Sequence, residues 1–118
     1  MVSFYAPLIT LSFALSSLAA TCSNGNSGCS VAQFWQAREI ACNTRQFGVV
    51  DCGNGWTVNA GLQLSVNESQ DQAYEHCWDA LEDILIQCVN PGGSLGGNWV
   101  WSLNGQEDEW LVQAFQQG

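Results

Sequence analysis

Lysine is absent from this 118-residue chain, and Arg38 and Arg45 are its only arginines, against eleven acidic residues and a net charge of −9. So anionic a surface repels phosphate backbones, because nucleic-acid affinity comes largely from Lys and Arg displacing counterions. It avoids anionic lipid head groups and sulfated glycans for the same reason. Nucleic acid and membrane surfaces are therefore excluded as expected partners, which leaves a neutral or cationic one. Histidine occurs once, at His76. Any Ser-His-Asp or Cys-His mechanism would have to use it. It stands mid-helix between Glu75 and Cys77, with no Gly-x-Ser-x-Gly anywhere, and a structural histidine is the better reading. No Cys-x-x-Cys is present, so a zinc site lacks its ligand spacing, and neither metal nor cofactor is expected. The glycines of "NPGGSLGG" lack the Gly-Lys-Ser/Thr ending of a phosphate loop and read as a flexible connection. Glu107-Asp108-Glu109 has no calcium-loop spacing and reads as a solvated turn.

Long hydrophobic runs are scarce too. The apolar run from Leu8 to Leu18 falls short of the ~20 residues needed to span a bilayer. It ends in Ser17-Leu18-Ala19-Ala20, whose small residues suit cleavage after Ala19 or Ala20, although the segment before it has no Lys or Arg. Residues 1–20 are thus expected to be a secretory signal peptide and 21–118 one extracellular domain. A domain of about 98 residues buries only ~65% of its unfolded surface, so its core is thin.

Cysteine compensates. Cys22, Cys29, Cys42, Cys52, Cys77 and Cys88 all follow the leader, and an even count in a short secreted chain reads as three disulfides. Cys77 and Cys88 lie on one expected helix about 16 Å apart at 1.5 Å per residue, out of disulfide reach. The same argument separates Cys29 from Cys42. Of the fifteen pairings open to six cysteines, these exclusions leave ten.

Ser30 with Gln33, and Ser69 with Gln72, have the spacing of a capping box. The first opens a helix near 31–42 with Val31, Phe34, Trp35, Ala41 and Cys42 on one side. The second opens a helix that Asn90-Pro91-Gly92 stops, with Tyr74, Cys77, Trp78, Leu81, Ile84, Leu85 and Cys88 facing inward. Asp71, Glu75, Asp79, Glu82 and Asp83 cover its other side. Between the helices the period becomes two. Turn residues at Gly53-Asn54-Gly55 and Asn59-Ala60-Gly61 divide three strands near 47–51, 55–59 and 62–66, the last with Leu62, Leu64 and Val66 alternating. A hairpin near 98–103 and 109–115 follows. Mixed elements with hairpin connections imply an α+β fold on a mainly antiparallel five-stranded sheet.

The hairpin carries Trp99, Trp101 and Trp110 around Asn104-Gly105. Loops of two or four residues place all three on one face with Val112, and "NGQE" suits four, pairing Trp101 with Trp110. Val100, Leu111 and Phe115 form a second apolar face. Two apolar faces and two amphipathic helices predict an α/β/α sandwich, with Trp35 and Trp78 in the core. At least one hairpin tryptophan is expected to be exposed, and the others to complete the core. Indole faces beside Asn98, Asn104, Gln106 and Asp108 suit the C–H side and the hydroxyls of a neutral sugar. Asn67-Glu68-Ser69 is the sole N-glycosylation sequon. The hairpin also leaves a sheet edge without lysine or proline to guard it, so a homodimer by edge pairing is expected.

"CSNGNSGC", the Phe34-Trp35 pair, "CWDALEDILIQC" and the glycine-rich strand after it resemble the small secreted glycan-binding proteins of mushroom-forming fungi, the Y-three-like lectins. The resemblance spans about Cys22 to Phe115, and Cys77-x-x-Ala80-Leu81-x-x-Ile84-x-x-Gln87-Cys88 is its most specific part. It implies an α/β/α sandwich with five antiparallel strands, a dimer joined edge to edge, and a glycan site on the sheet. No sugar-contacting residue carries over by position. The expected function is a secreted lectin for a neutral oligosaccharide or glycoprotein glycan, without turnover. A small acidic secreted ribonuclease is the enzymatic alternative, lacking the usual second histidine. A secreted effector that binds another protein is the third class.

Overall fold

The computed structural model describes residues 20–92 and 94–117, so all of the expected leader except Ala20 lies outside the described residues. Five strands form one antiparallel sheet: β1 (Thr21–Asn24), β2 (Gly48–Gly53), β3 (Trp56–Val66), β4 (Ser94–Leu103) and β5 (Gln106–Gln116), in the order β1-β4-β5-β3-β2. Helix α1 is Val31–Thr44. A second helical segment runs through α2 (Gln70–Ala73), a 3-10 turn (Tyr74–His76), α3 (Cys77–Ile84) and a π turn (Leu85–Val89). With its three disulfides this is an α+β fold, as the sequence pattern implies.

Both capping boxes form. The Ser30 hydroxyl accepts from the Gln33 N–H while the Gln33 side chain accepts from the Ser30 N–H, and Ser69 and Gln72 repeat the exchange. Each box satisfies two donors that a helix start leaves without partners. Helix α1 ends at Arg45, whose left-handed φ of 56° lets its N–H bond back to Ala41.

The expected five strands and the observed five are not the same set. The Asn59-Ala60-Gly61 turn does not form, and β3 runs through it unbroken as eleven residues. Extended pairing to β5 on one side, and to β2 as far as Ala60 on the other, overrides the local turn preference. The fifth strand is instead β1, in the Cys22 segment, which has no period-two pattern. Ser94–Gly97, expected to be a flexible connection, belongs to β4 and pairs with β1 and β5.

One cross-strand row fixes the layering. Gly48, Ala60, Val112, Gly97 and Cys22 stand opposite one another across all five strands. Residues directly opposite in a sheet point to the same face. A Cβ on Gly48 would lie 2.1 Å from the Ala37 carbonyl oxygen of α1, and one on Gly97 would lie 2.7 Å from Cys88 Sγ of the π turn. Both helical segments therefore press on the same face, and a Cβ would prevent the close approach at either end. The α/β/α sandwich is corrected to two layers. The Cys42–Cys77 bridge ties α1 to α3 side by side above the sheet. The opposite face has no helix over it among the described residues, and Val49, Val100 and Phe115 are exposed there.

The core lies between the layers: Phe34, Ala37 and Ala41 from α1, Tyr74, Leu81, Ile84 and Leu85 from the second segment, and Val58, Trp99, Trp110 and Val112 from the sheet. The other two disulfides, Cys22–Cys88 and Cys29–Cys52, fasten the edge strands β1 and β2. Neither excluded pairing occurs. Trp78 is not core: it is 39% exposed, and Trp35 is only partly buried. Their indoles instead flank Arg38, whose guanidinium carbon lies 5.3 Å from one ring centroid and 4.9 Å from the other. Helical spacing placed both rings on the boundary of the apolar stripe, where a cation-π contact replaces burial.

Candidate functional site: the hairpin end and the cavity beside β3

The β4–β5 hairpin closes through a two-residue turn, Asn104-Gly105, with φ of 53° and 82° and Leu103 paired to Gln106. These positive angles are what a tight hairpin with native twist demands, and Asn-Gly supplies them. The four-residue loop is thereby corrected: Trp99, not Trp101, pairs with Trp110, and Trp101 pairs with Asp108. Two and four have the same parity, so all three indoles share the helix-covered face with Val112.

Sharing that face buries most of the expected platform. Trp99 is 6% exposed, and Trp110 and Asp108 are 0% exposed. Tyr74 meets Trp110 edge to face at 5.3 Å. Trp99, Trp110 and Asp108 therefore present nothing to a ligand, which corrects their place among the candidate contacts. Trp101 keeps partial exposure and stacks on His76, with centroids 4.7 Å apart and planes at 28°. Asn98 points to the open face, partly buried, and Asn104 is exposed in the turn. The candidates are thus divided among core, turn and two sheet faces. Asn67 is exposed with φ of 62°, and its Nδ2 donates 2.8 Å to the Gly105 carbonyl, bracing the turn.

Asp108 is no part of a solvated turn. Its Oδ1 accepts from the Ser65 hydroxyl at 3.1 Å, but that hydroxyl also donates to the Glu68 carbonyl at 2.9 Å. One hydroxyl proton serves one acceptor at a time. Asp108 Oδ2 and Glu68 Oε1 are both buried with no donor among the described residues. Burial holds the Glu68 carboxyl above its ordinary value, and the nearby carboxyls of Asp108 and Glu75 push the same way. The His76 side chain opposes them.

Glu68 also borders a cavity of about 560 Å³. The cavity exists because β2 stops short. Its pairing with β3 reaches only Gly48 opposite Ala60, so the rest of β3 is open on that side. A bulge between Leu62 and Leu64 then changes the parity of the strand. Leu62 faces the core at 9% exposure, while Leu64 turns outward at 50%. The expected common face of Leu62, Leu64 and Val66 is corrected accordingly, since one extra residue reverses every side chain after it. Tyr74 fills part of the gap, its hydroxyl accepting from the Leu62 N–H at 3.2 Å. Phe47, Leu62, Leu64 and Tyr74 supply apolar wall, and Gln46, Gln63, Gln70 and Ser65 supply neutral polar groups.

No charged nitrogen lines this cavity. Arg45, next to Gln46, is paired with Asp71, next to Gln70, at 2.7 Å. Arg38 donates twice to the Trp78 carbonyl, at 3.1 and 2.9 Å. Among the described residues, no helix is long and apolar enough to cross a membrane, and no cluster of three metal-ligating side chains forms. Sequence reasoning missed Phe47, Gln46, Gln63 and Gln70. Phe47 opens the strand expected near 47–51, and nothing in period-two alternation marks where a neighbouring strand will stop. Comparison with family models, with characterised proteins and with solved structures gives no match to this chain, so its cavity has to be read on its own chemistry.

Proposed function

We propose that this is a secreted lectin that binds a neutral glycan without turnover, and that the sugar enters the cavity beside β3 rather than the hairpin platform. The observation that carries the reading is the lining itself. Aromatic and aliphatic walls stand beside three primary amides and a hydroxyl, with no cation, in a volume typical of small-ligand sites. An aromatic face takes the C–H side of a pyranose, and amides donate to and accept from its hydroxyls. The net charge of −9 disfavours phosphorylated or sulfated ligands, as does the absence of lysine. Secretion is supported by the leader-like start and by three disulfides, which persist in oxidising compartments. The resemblance to Y-three-like lectins points the same way.

Binding without turnover fits the acid pair. Asp108 is wholly buried, and its Oδ1 accepts from the Ser65 hydroxyl. A retaining glycosidase holds its two carboxyl groups ~5 Å apart across an accessible cleft, whereas Asp108 is 0% exposed and faces no cleft. A glycan array tests the reading, followed by Phe47→Ala and Gln63→Ala on whichever sugar binds. Both variants should weaken binding at least tenfold with melting temperature nearly unchanged. Binding that survives both would place the site elsewhere. An array with no binder would favour the protein-binding alternative, for which the exposed Val49, Val100 and Phe115 on the open sheet face offer a surface.

A further inference from the structure

We propose that Asn67 is an N-glycosylation site filled before the chain folds, because the folded protein uses both of the groups that the reaction needs. Asn67-Glu68-Ser69 offers an amide nitrogen as acceptor and a hydroxyl two residues on, the pattern that marks such a site. In the folded chain neither group is idle. The Asn67 Nδ2 donates to the Gly105 carbonyl at 2.8 Å. The Ser69 hydroxyl accepts from the Gln72 N–H at 3.1 Å and donates to Gln72 Oε1 at 3.2 Å, as the cap of α2. The backbone of the tripeptide is held as well. Asn67 takes a left-handed φ of 62°, the Glu68 carbonyl accepts from the Ser65 hydroxyl at 2.9 Å, and the Ser69 N–H donates to Gln72 Oε1 at 3.3 Å. A transferase reaching this tripeptide has to undo the helix start and the turn brace together. Asn67 is exposed, but exposure alone does not make it reactive.

The reaction joins Asn67 Nδ2 to the anomeric carbon of an oligosaccharide carried on a lipid diphosphate. The lipid diphosphate leaves with the bonding electrons, and one amide proton passes to a base on the transferase. A primary amide carries two hydrogens, so the linked nitrogen keeps one and can still donate to Gly105 once the chain folds. The glycosylated chain thus fits a fold in which glycosylation itself is blocked. The same bond fixes where the sugar stands. Gly105 closes the β4–β5 hairpin, which lies on one side of β3, whereas the cavity lies on the other, where β2 stops short. Glu68, the next residue, borders that cavity, so position along the chain alone would put the sugar at its mouth. Asn67 instead reaches toward the hairpin, and its glycan covers the Asn104-Gly105 turn and leaves the cavity clear. The proposal rests on secretion, and not on what the cavity binds.

Two measurements test it. In the first, the full chain is produced in a eukaryotic secretory host, and the protein in the medium is mapped by mass spectrometry before and after an amidase releases N-glycans. Asn67 should carry a glycan, with its amide converted to a carboxyl on release, and Ser69→Ala should lose the glycan. Secreted protein with a bare Asn67 overturns this proposal alone, whereas a chain that never enters the secretory pathway overturns secretion with it. In the second, unmodified chain from a bacterial host is oxidised and folded, and compared with the same chain reduced and alkylated. Each is incubated with microsomal oligosaccharyltransferase and its lipid-linked donor. The unfolded chain should gain roughly tenfold more glycan, since the folded one must first break the bonds of Asn67 and Ser69. Ser69→Ala is read in the unfolded arm too, where loss of the helix cap has no bearing. Equal transfer to folded and unfolded chains would overturn the requirement for modification before folding, and transfer to neither would refute the site.

Discussion

Replacing Gly48 by alanine is the sharpest probe of how the layers meet. The added Cβ would lie 2.1 Å from the Ala37 oxygen and 2.6 Å from the Ala41 nitrogen, both backbone atoms that cannot rotate away. Ordinary contact begins near 3.5 Å, so α1 must withdraw by about 1.4 Å at that point. A radial gap of ~0.5–1 Å already forfeits a quarter to a half of each dispersion contact, and Phe34, Ala37 and Ala41 all pack beneath that stretch of helix. Overpacking alone costs ~1–3 kcal/mol. With the lost contacts, the expected destabilisation is about 3 kcal/mol, or a fall of roughly 12–24 °C in melting temperature for a domain of this size. The neighbouring residue supplies the contrast. Val49 points to the other face and is 54% exposed, so Val49→Thr, which keeps the β-branch, should stay within ~0.5 kcal/mol. Thermal melts followed by circular dichroism at one pH measure both. If Gly48→Ala melts within about 4 °C of wild type, α1 does not rest on Gly48. If Val49→Thr loses as much as Gly48→Ala, something covers the second face and the two-layer description fails.

Two further outcomes follow from the packing. Trp110→Ala should cost ~3–5 kcal/mol in urea unfolding as a fully buried aromatic, whereas Trp101→Ala should lose only about 1 kcal/mol of stacking on His76. Comparable losses would contradict the burial difference between them. Peptide mapping without reduction should recover Cys22–Cys88, Cys29–Cys52 and Cys42–Cys77, and replacing Cys42 and Cys77 together by serine should cost about 4 kcal/mol for the 35-residue loop released.

Much of the architecture was legible along the chain because it is set by contacts between near neighbours. Ser30 with Gln33 and Ser69 with Gln72 define helix starts through bonds three residues apart, and both helices begin there. Asn104-Gly105 defines the hairpin because few other pairs tolerate two successive positive φ angles. Hairpin parity puts three tryptophans on one face for a loop of either two or four residues. Helix geometry alone removes two cysteine pairs and, with them, five of the fifteen pairings. What the sequence could not decide was which distant surfaces would meet. An apolar face predicts burial but not the element that buries it, so two apolar sheet faces by themselves imply a helix on each. Gly48 and Gly97 stand in one row, each beneath a different helical segment, and that row put both helices on one side. Only that packing buries Trp99, Trp110 and Asp108 and leaves the opposite face open. The cavity, too, is a tertiary product: it arises where β2 ends before β3 does and where a bulge near Gln63 turns Leu64 outward. Neither event has a local signal, because strand ends and bulges are settled by the partner strand rather than by the residues themselves.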